Sequence, residues 1–327
     1  VHASLKTALI EDSRFVRAAA NDRLRAAFAG VGSTVMPQLA YANNNDTRAP
    51  ADRADGATLW GQVYGAAADR DSDGNAAAMN ETAGGILAGA DAFVAQGLRL
   101  GLLAGYGRSA FSETGASGSA DSWSLGTYAG ERWSKFSVRG GAAYTWHNID
   151  TSRSVSFTGF SDGLSANYDA GLAQVFGEMG YRLDTGLARF EPYGAVAHVR
   201  LSTDGFTETG GEAALASAQS GLDSTFTTLG LRGETDLVLG EAATAKLSGG
   251  IGWRHAFGDV TPSSLMAFAG SSAFSISGVP IAREMLVVDL GAGVALSPTS
   301  TLGFYYSGQI AHDASEHGGK ANLAVEF

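Results

Sequence analysis

The 327-residue sequence contains no cysteine and only 6 prolines. Without thiols it can hold no disulfide, thiolate-bound zinc, iron–sulfur cluster or cysteine nucleophile. Long hydrophobic runs are missing too. Asp289 interrupts Met285–Leu296, and Arg99 and Arg108 interrupt Leu98–Ala110, so nothing reaches the roughly 18 apolar residues of a spanning helix. Basic residues are the scarcer charge, 22 against 33 acidic, for a formal net charge of −11. That leaves no basic footprint for phosphates, so nucleic acid is not an expected partner. The N-terminus lacks the basic-then-apolar pattern of a signal peptide and Val1 is no natural start, so a longer precursor is expected.

Glycine, by contrast, is abundant: 45 residues, or about 14% against a usual ~7%, without a Gly-X-Y period. Apolar residues reach 45%, which excludes a disordered or fibrous chain. Three regions differ in composition. Ser13–Ala29 (SRFVRAAANDRLRAAFA) is rich in Ala, Arg and Leu and free of Gly and Pro. It predicts a helix near 13–29, capped by Asp12 or Ser13 and ended by Gly30, with Leu5–Ile10 as a second helical piece before it. The division expected is a helical segment over 1–30, a polar linker over 31–56 with Pro37, Asn43–Asp46 and Pro50, and a β-domain over 57–327.

From Ala57 to the last residue the periodicity is two. Leu302, Phe304, Tyr306 and Ile310 alternate with Gly303, Tyr305, Ser307 and Gln309; Leu286, Val288, Leu290, Ala292, Val294 and Leu296 alternate with Asp289, Gly291 and Gly293. The same design recurs in Leu98–Gly107 and Val138–His147. Twelve strands follow, near 57–68, 80–94, 98–111, 121–133, 136–150, 165–184, 188–204, 222–239, 243–257, 283–297, 300–312 and 318–327. Short connections at Gln96–Gly97, Ser134–Lys135, Thr185–Leu187, Glu241–Ala242 and Pro298–Thr299 alternate with longer polar ones at 69–79, 112–120, 151–164, 205–221, 258–282 and 313–317. A soluble sandwich would have strands of about 5–6 residues. Strands this long, even in number, with an apolar alternate face, predict an all-β, 12-stranded antiparallel transmembrane barrel. Trp60, Trp123, Trp133, Trp146 and Trp253, with Tyr106, Tyr144, Tyr181 and Tyr193, are expected in its two interfacial aromatic girdles.

The final residues, GGKANLAVEF, set Leu323, Val325 and Phe327 on one face and Lys320, Asn322 and Glu326 on the other, with Phe327 terminal. This resembles the C-terminal assembly signal of outer-membrane barrels. Trp60–Glu113 resembles the first three strands of the autotransporter β-domain, the translocator of type V secretion, and Ser277–Phe327 its last three. The resemblance spans 57–327, and the preceding helix and linker suit it as well. It implies a monomeric barrel in the bacterial outer membrane, with long loops and an upstream passenger at the cell surface and the helix in the lumen. The partners implied are outer-membrane lipid, the barrel-assembly machinery and the passenger. No cofactor or metal is expected.

Arg14, Arg17, Arg23 and Arg25 against Asp22 give the helix a charge of +3, leaving −14 on the rest of the chain. A cationic helix is favoured in a lumen bearing carboxylates. Asp91, Glu178, Glu234, Asp236 and Asp289 are the partners expected there, sharing the lumen face with Arg139, Arg182, Arg200, Arg232, Lys246 and Arg254. Some family members release the passenger by cleavage after an Asn of the helix; here Asn21–Asp22 stands in place of the Asn-Asn pair, and self-cleavage is not expected.

The alternative from another class is a stand-alone porin or a rim-located barrel hydrolase. His147 near Asp150, and His312 with Asp313, Glu316 and His317, are its candidates, but no GxSxG or similar nucleophile motif accompanies them. The text DRDSDGN at Asp69–Asn75 has the opening of a calcium loop but lacks the twelfth-position Glu, which falls on Asn80. The expectation is a translocator without a reaction of its own.

Overall fold

The structure, a computed structural model, describes residues 1–28, 31, 38–40, 58–238, 244–297 and 300–325. Twelve strands form the wall: β1 Thr58–Arg70, β2 Met79–Ala95, β3 Leu98–Glu113, β4 Ala116–Trp133, β5 Phe136–Phe157, β6 Phe160–Tyr181, β7 Arg189–Thr203, β8 Ser220–Val238, β9 Thr244–Gly258, β10 Glu284–Ser297, β11 Ser300–Ile310 and β12 Ala314–Val325. Each pairs antiparallel with its sequence neighbours, and β12 closes onto β1 through pairs such as Lys320 with Tyr64 and Ala321 with Val63. The seam pairs Ala314–Ala321 with Val63–Arg70, and Gln38–Ala40 lies against Thr58–Trp60 on the same side of β1; a sheet closed on itself is the form that can sit in hydrocarbon. The outer face carries Leu102, Trp123, Leu229 and Phe304, each about 60% exposed.

Two helices fill part of the interior, α1 Ser4–Asp12 and α2 Arg14–Ala27. The join at Ser13 keeps helical dihedrals, and its hydroxyl donates to the Ile10 carbonyl (2.6 Å) instead of capping α2. The expected end at Gly30 lies outside the described residues, as do linker residues 32–37 and 41–57. Gln38–Ala40 of that linker pairs with Thr58–Trp60 at the start of β1.

Three sequence expectations change here. The polar stretches 112–120 and 151–164 are not long loops. They are strand continuations that turn over at Thr114–Gly115 and Thr158–Gly159, so β5 and β6 reach 22 residues each. Backbone pairing continues through these polar stretches because the hairpin partner satisfies it there as well, and polar composition alone does not end a strand. Secondly, Trp60 and Tyr193 are not girdle residues; both are buried in the lumen. Thirdly, two of the remaining long connections, 205–221 and 258–282, build a separate four-stranded sheet from Phe206–Thr207, Leu215–Ser217, Ser263–Phe268 and Phe274–Ser277. This cap lies at the long-connection end of the barrel.

Candidate functional site

The site is the lumen and the helices in it. α2 is two-faced. Val16, Ala19, Ala20, Leu24 and Phe28, spaced at three and four, pack on Trp60, Leu87, Leu103, Tyr128, Ala143 and Phe176 of the wall. Arg14, Arg17, Asn21 and Arg25 form the opposite stripe, facing a cavity of about 190 Å³ before β6–β12. α1 is enclosed on every side: Leu5, Leu9 and Ile10 pack with Ile149, Leu172, Val199 and Leu201 of the wall and with Val260, Val279 and Ile281 of the 259–283 connection. Thr7 Oγ1 donates to the Val279 carbonyl (2.6 Å), and the Val279 N–H to Ser4 Oγ (3.2 Å). A Cβ on Gly278 would sit 2.3 Å from the Ser4 nitrogen, so only glycine permits this approach.

The helix axis therefore has a direction. Its N-terminal end meets the cap and long connections, while Phe28 at the other end packs against Phe93 and accepts a hydrogen bond from Arg132, both beside the tight turns at 96–97 and 134–135.

Ion pairs set the depth of the helix. Arg23 donates to Asp91 through Nε (2.7 Å) and Nη2 (2.9 Å), and Asp91 also accepts from Arg99 and from the Tyr128 hydroxyl (2.7 Å). Tyr128 reaches it across Gly101, where a Cβ would stand 2.3 Å from the phenol ring, and Trp60 Nε1 donates to its hydroxyl (2.6 Å). Arg25 lies 3.6 Å from Glu178 and also bridges to Asp22, which takes Lys320 at 2.7 Å. Glu178 is shared with Arg139 (2.7 Å) and Arg232 (2.8 Å), and Glu191 joins the same two arginines. Arg14 pairs with Glu316. In the reverse sense, helix Glu11 takes both terminal nitrogens of Arg254 (2.6 and 2.7 Å). Buried pairs of this kind add little net stability, because desolvation offsets attraction, but displacing one partner strands the other. Their effect is to specify one axial position.

Of the expected lumen charges, Asp91, Arg139, Glu178, Arg232, Glu234 and Arg254 are buried inside the barrel, and Asp289 and Lys246 are partly so. Glu234 and Asp236 pair with Arg189 (2.6 and 2.9 Å) rather than with the helix, and Asp236 and Arg182 sit at the tight-turn rim, the latter with Asp184 (2.7 Å). Arg200 is a correction. It points outward, beside Asp223 at 3.8 Å, because Val199 and Leu201 occupy the inner face against α1. The apolar helix inverts the usual polar-in pattern at that end. Sequence reasoning missed Glu11, Arg70, Glu81, Arg99, Tyr128, Glu191 and Glu316. Arg99 stood in the alternation opposite Leu98 and Leu100, and Glu81 shares strand parity with Asp91; those were the available signals. Of the C-terminal residues, Lys320 faces the lumen and bonds to helix Asp22, Leu323 and Val325 pair through the backbone with Leu302 and Ser300, and Phe327 lies outside the described residues.

The rim-hydrolase candidates are not brought together. His147 faces inward on Ser122 Oγ (2.8 Å), whereas Asp150 faces outward toward Asn167 (2.9 Å). Among the described residues His147 Nε2 has no hydrogen-bond partner, and the cavity there is about 30 Å³. Glu316 faces the lumen and His317 the outside, on the Tyr306 hydroxyl. Asp73 in the acidic loop accepts the N–H groups of Asn75 (2.9 Å) and Ala76 (2.7 Å), closing a turn. Among the described residues no group of three metal-ligating side chains occurs.

At the cap, His2 Nε2 lies 2.9 Å from Glu208 and Nδ1 3.1 Å from the Tyr168 hydroxyl, with its ring stacked on Phe206. Arg153 Nη2 (2.5 Å) and the Leu215 N–H (2.9 Å) complete the set on Glu208. Burial raises the Glu208 carboxyl, but these donors outweigh it and hold it at about 2. Burial lowers His2, against the pull of Glu208.

A closed twelve-stranded barrel with a helix running down its lumen, N-terminus toward the long connections, is the arrangement to be compared with known proteins. Residues 59–307 match the family described as Autotransporter beta-domain. The chain belongs to that family. It is 30% identical over 329 residues to an extracellular serine protease of Serratia marcescens, covering all of this chain and 30% of the relative. The chain thus spans about a third of the length of the curated relatives it matches. Among solved structures it resembles the translocator domain of autotransporter NalP from Neisseria meningitidis, with TM-score 0.69, 17% identity and 99% coverage of both chains. The β-domain of the Bordetella autotransporter BrkA is similar at TM-score 0.58 and 18% identity, over 81% of this chain and 98% of that one. As an autotransporter β-domain, the chain is the translocator unit of such a protein.

Proposed function

We propose that this autotransporter β-domain anchors in the bacterial outer membrane as a monomer and delivers a passenger, encoded upstream, to the cell surface. The observation that carries the reading is the direction of the lumenal helices: their N-terminal end, at Ser4, lies at the cap and long connections, and their C-terminal end, at Phe28, lies at the tight-turn side. In an outer-membrane barrel the short turns are periplasmic and the long loops extracellular, so an upstream passenger stands outside. The apolar outer band provides the contact with outer-membrane lipid. The alternating final strand, through Leu323, Val325 and Phe327, is read as the signal for the barrel-assembly machinery. Once export ends, α1 and α2 close the lumen, with the Arg23–Asp91 and Glu11–Arg254 pairs fixing their depth. No catalytic step is assigned to the barrel.

The test is an epitope fused upstream of Val1 behind a secretion signal. Protease added to intact cells should remove the epitope while the barrel remains heat-modifiable in a gel. An epitope that stays protected in cells whose barrel is correctly folded refutes the export reading.

A further inference from the structure

The helix seals the lumen unevenly. α2 packs on β1–β7, and the cavity of about 190 Å³ lies between its polar stripe and β6–β12. At about 30 Å³ per water it has room for several waters or a hydrated ion. Its lining is cationic: Arg14, Arg17, Arg25, Arg232, Arg254 and Lys320 stand against Asp22, Glu178 and Asp289. Adding the groups that complete those ion pairs, Glu11, Glu191, Glu316 and Arg139, seven cations meet six carboxylates. One positive charge is left over.

The geometry shows where the excess resides. Among the described residues Arg17 has no carboxylate within ion-pair distance. Its Nη1 donates to Ser13 Oγ (2.8 Å) and to Gln174 Oε1 (3.4 Å). The nearby Glu11 is engaged by both terminal nitrogens of Arg254, and the Arg17 and Arg254 guanidinium carbons lie 5.6 and 4.8 Å from the centroid of the same Phe226 ring. Among the described residues one further donor on the cavity, Arg254 Nε, makes no hydrogen bond although its side chain is more than nine-tenths buried. A part-buried guanidinium without a carboxylate is costly, and a monovalent anion between Arg17 and Arg254 Nε reduces that cost.

We propose that the cavity beside α2 is a binding site for one small inorganic anion of chloride or bromide size, held by the Arg17 guanidinium with the Arg254 Nε–H. The anion then completes the charge balance that docks the helix. The test uses the whole chain in detergent. Crystals soaked in sodium bromide should show an anomalous peak in this cavity within about 3.5 Å of Arg17, the reach of a charge-assisted contact, and Arg17→Gln should remove it. In solution, replacing chloride by gluconate at constant ionic strength should lower the thermal midpoint of the wild type and leave that of Arg17→Gln unchanged. Should Arg17→Gln not fold, Asn21→Asp, which turns a carboxylate onto the cavity and keeps Arg17, should likewise exclude bromide. No peak in the wild type, a peak retained in either variant, or a wild-type midpoint indifferent to chloride overturns the proposal.

Discussion

The Arg23–Asp91 contact allows the link between helix and wall to be measured separately from the wall itself. Asp91 accepts hydrogen bonds from Arg23, Arg99 and Tyr128, and both Arg23 and Asp91 are almost fully buried. Asp91→Ala therefore leaves two guanidinium groups without their carboxylate, which should cost about 3–5 kcal/mol, the range for breaking a buried pair from one side. Arg23→Ala should cost less, about 1–3 kcal/mol, because Arg99 and Tyr128 still satisfy the carboxylate. With Arg23 absent, removing Asp91 strands only Arg99, so the double variant should fall short of the sum by at least about 1 kcal/mol. The assay is reversible urea unfolding in detergent, read by the heat-modifiable band and by Trp fluorescence. Strict additivity would mean that Arg23 and Asp91 do not interact, and the account of how the helix is held in depth would fail. Single-channel conductance adds a second readout. Arg23→Ala should lengthen open episodes if this pair retains α2, whereas a wall change that does not touch the helix should not.

Further outcomes follow from other contacts. Glu178→Gln withdraws the charge shared by Arg139, Arg232 and Arg25 and should destabilise the refolded barrel by about 3 kcal/mol; an unchanged urea midpoint would contradict the shared-carboxylate picture. Gly278→Val places a side chain against the Ser4 backbone, and the amides of α1 should lose hydrogen-exchange protection; wild-type exchange would show that the 259–283 connection does not clamp the helix. Glu208, held at about 2 from an ordinary value near 4.5, stabilises the cap above that ordinary value and loses its contribution as pH falls toward 2. At about 1.4 kcal/mol per pKa unit this is about 3 kcal/mol. His2, also depressed, acts in the same direction once pH drops below its ordinary 6.5. Protection of residues 2–10 should fall on acidification, and Glu208→Gln should weaken the cap at pH 7 and flatten the acid limb; an equally steep limb in Glu208→Gln would remove Glu208 from the account.

The barrel could be read from sequence where one rule governed both faces. Along Leu98–Gly107 and Leu286–Val294 the outward residues are apolar and the inward ones mostly small or charged, so polarity and parity coincide. They part where α1 enters. Val199 and Leu201 are apolar because they touch Leu5, Leu9 and Ile10 rather than lipid, and a reading that assigns apolar residues outward sends Arg200 to the wrong side. Trp60 misleads for a similar reason: its ring packs against α2 and its N–H serves Tyr128, a partner that only the register of β1, β2, β3 and β4 brings near. The even-versus-odd pattern contains no information on what stands in the lumen.

The helix charge shows the same limit in its sign. Composition gives α2 four arginines and the wall an acidic balance, from which cations on the helix and anions around it are expected. The geometry interleaves them. Helix Glu11 holds wall Arg254, helix Asp22 holds Lys320, and Asp91 and Glu178 are each divided between a helix arginine and wall arginines. A helix attracted only by net charge could slide along the axis at little cost, since a uniform field has no preferred register. Alternating pairs penalise every displacement, because a shift of one turn, about 5.4 Å, would set Glu11 and Asp22 against carboxylates or leave Arg254 and Lys320 unpaired. The interleaving therefore accounts for a stop at a defined depth, which net charge cannot. Reversing Asp22 to Lys together with Lys320 to Asp should retain that depth, whereas Asp22→Lys alone should expel the C-terminal half of α2 from its seat. A cysteine cross-link between α2 and β4 that forms equally in both variants would refute this reasoning.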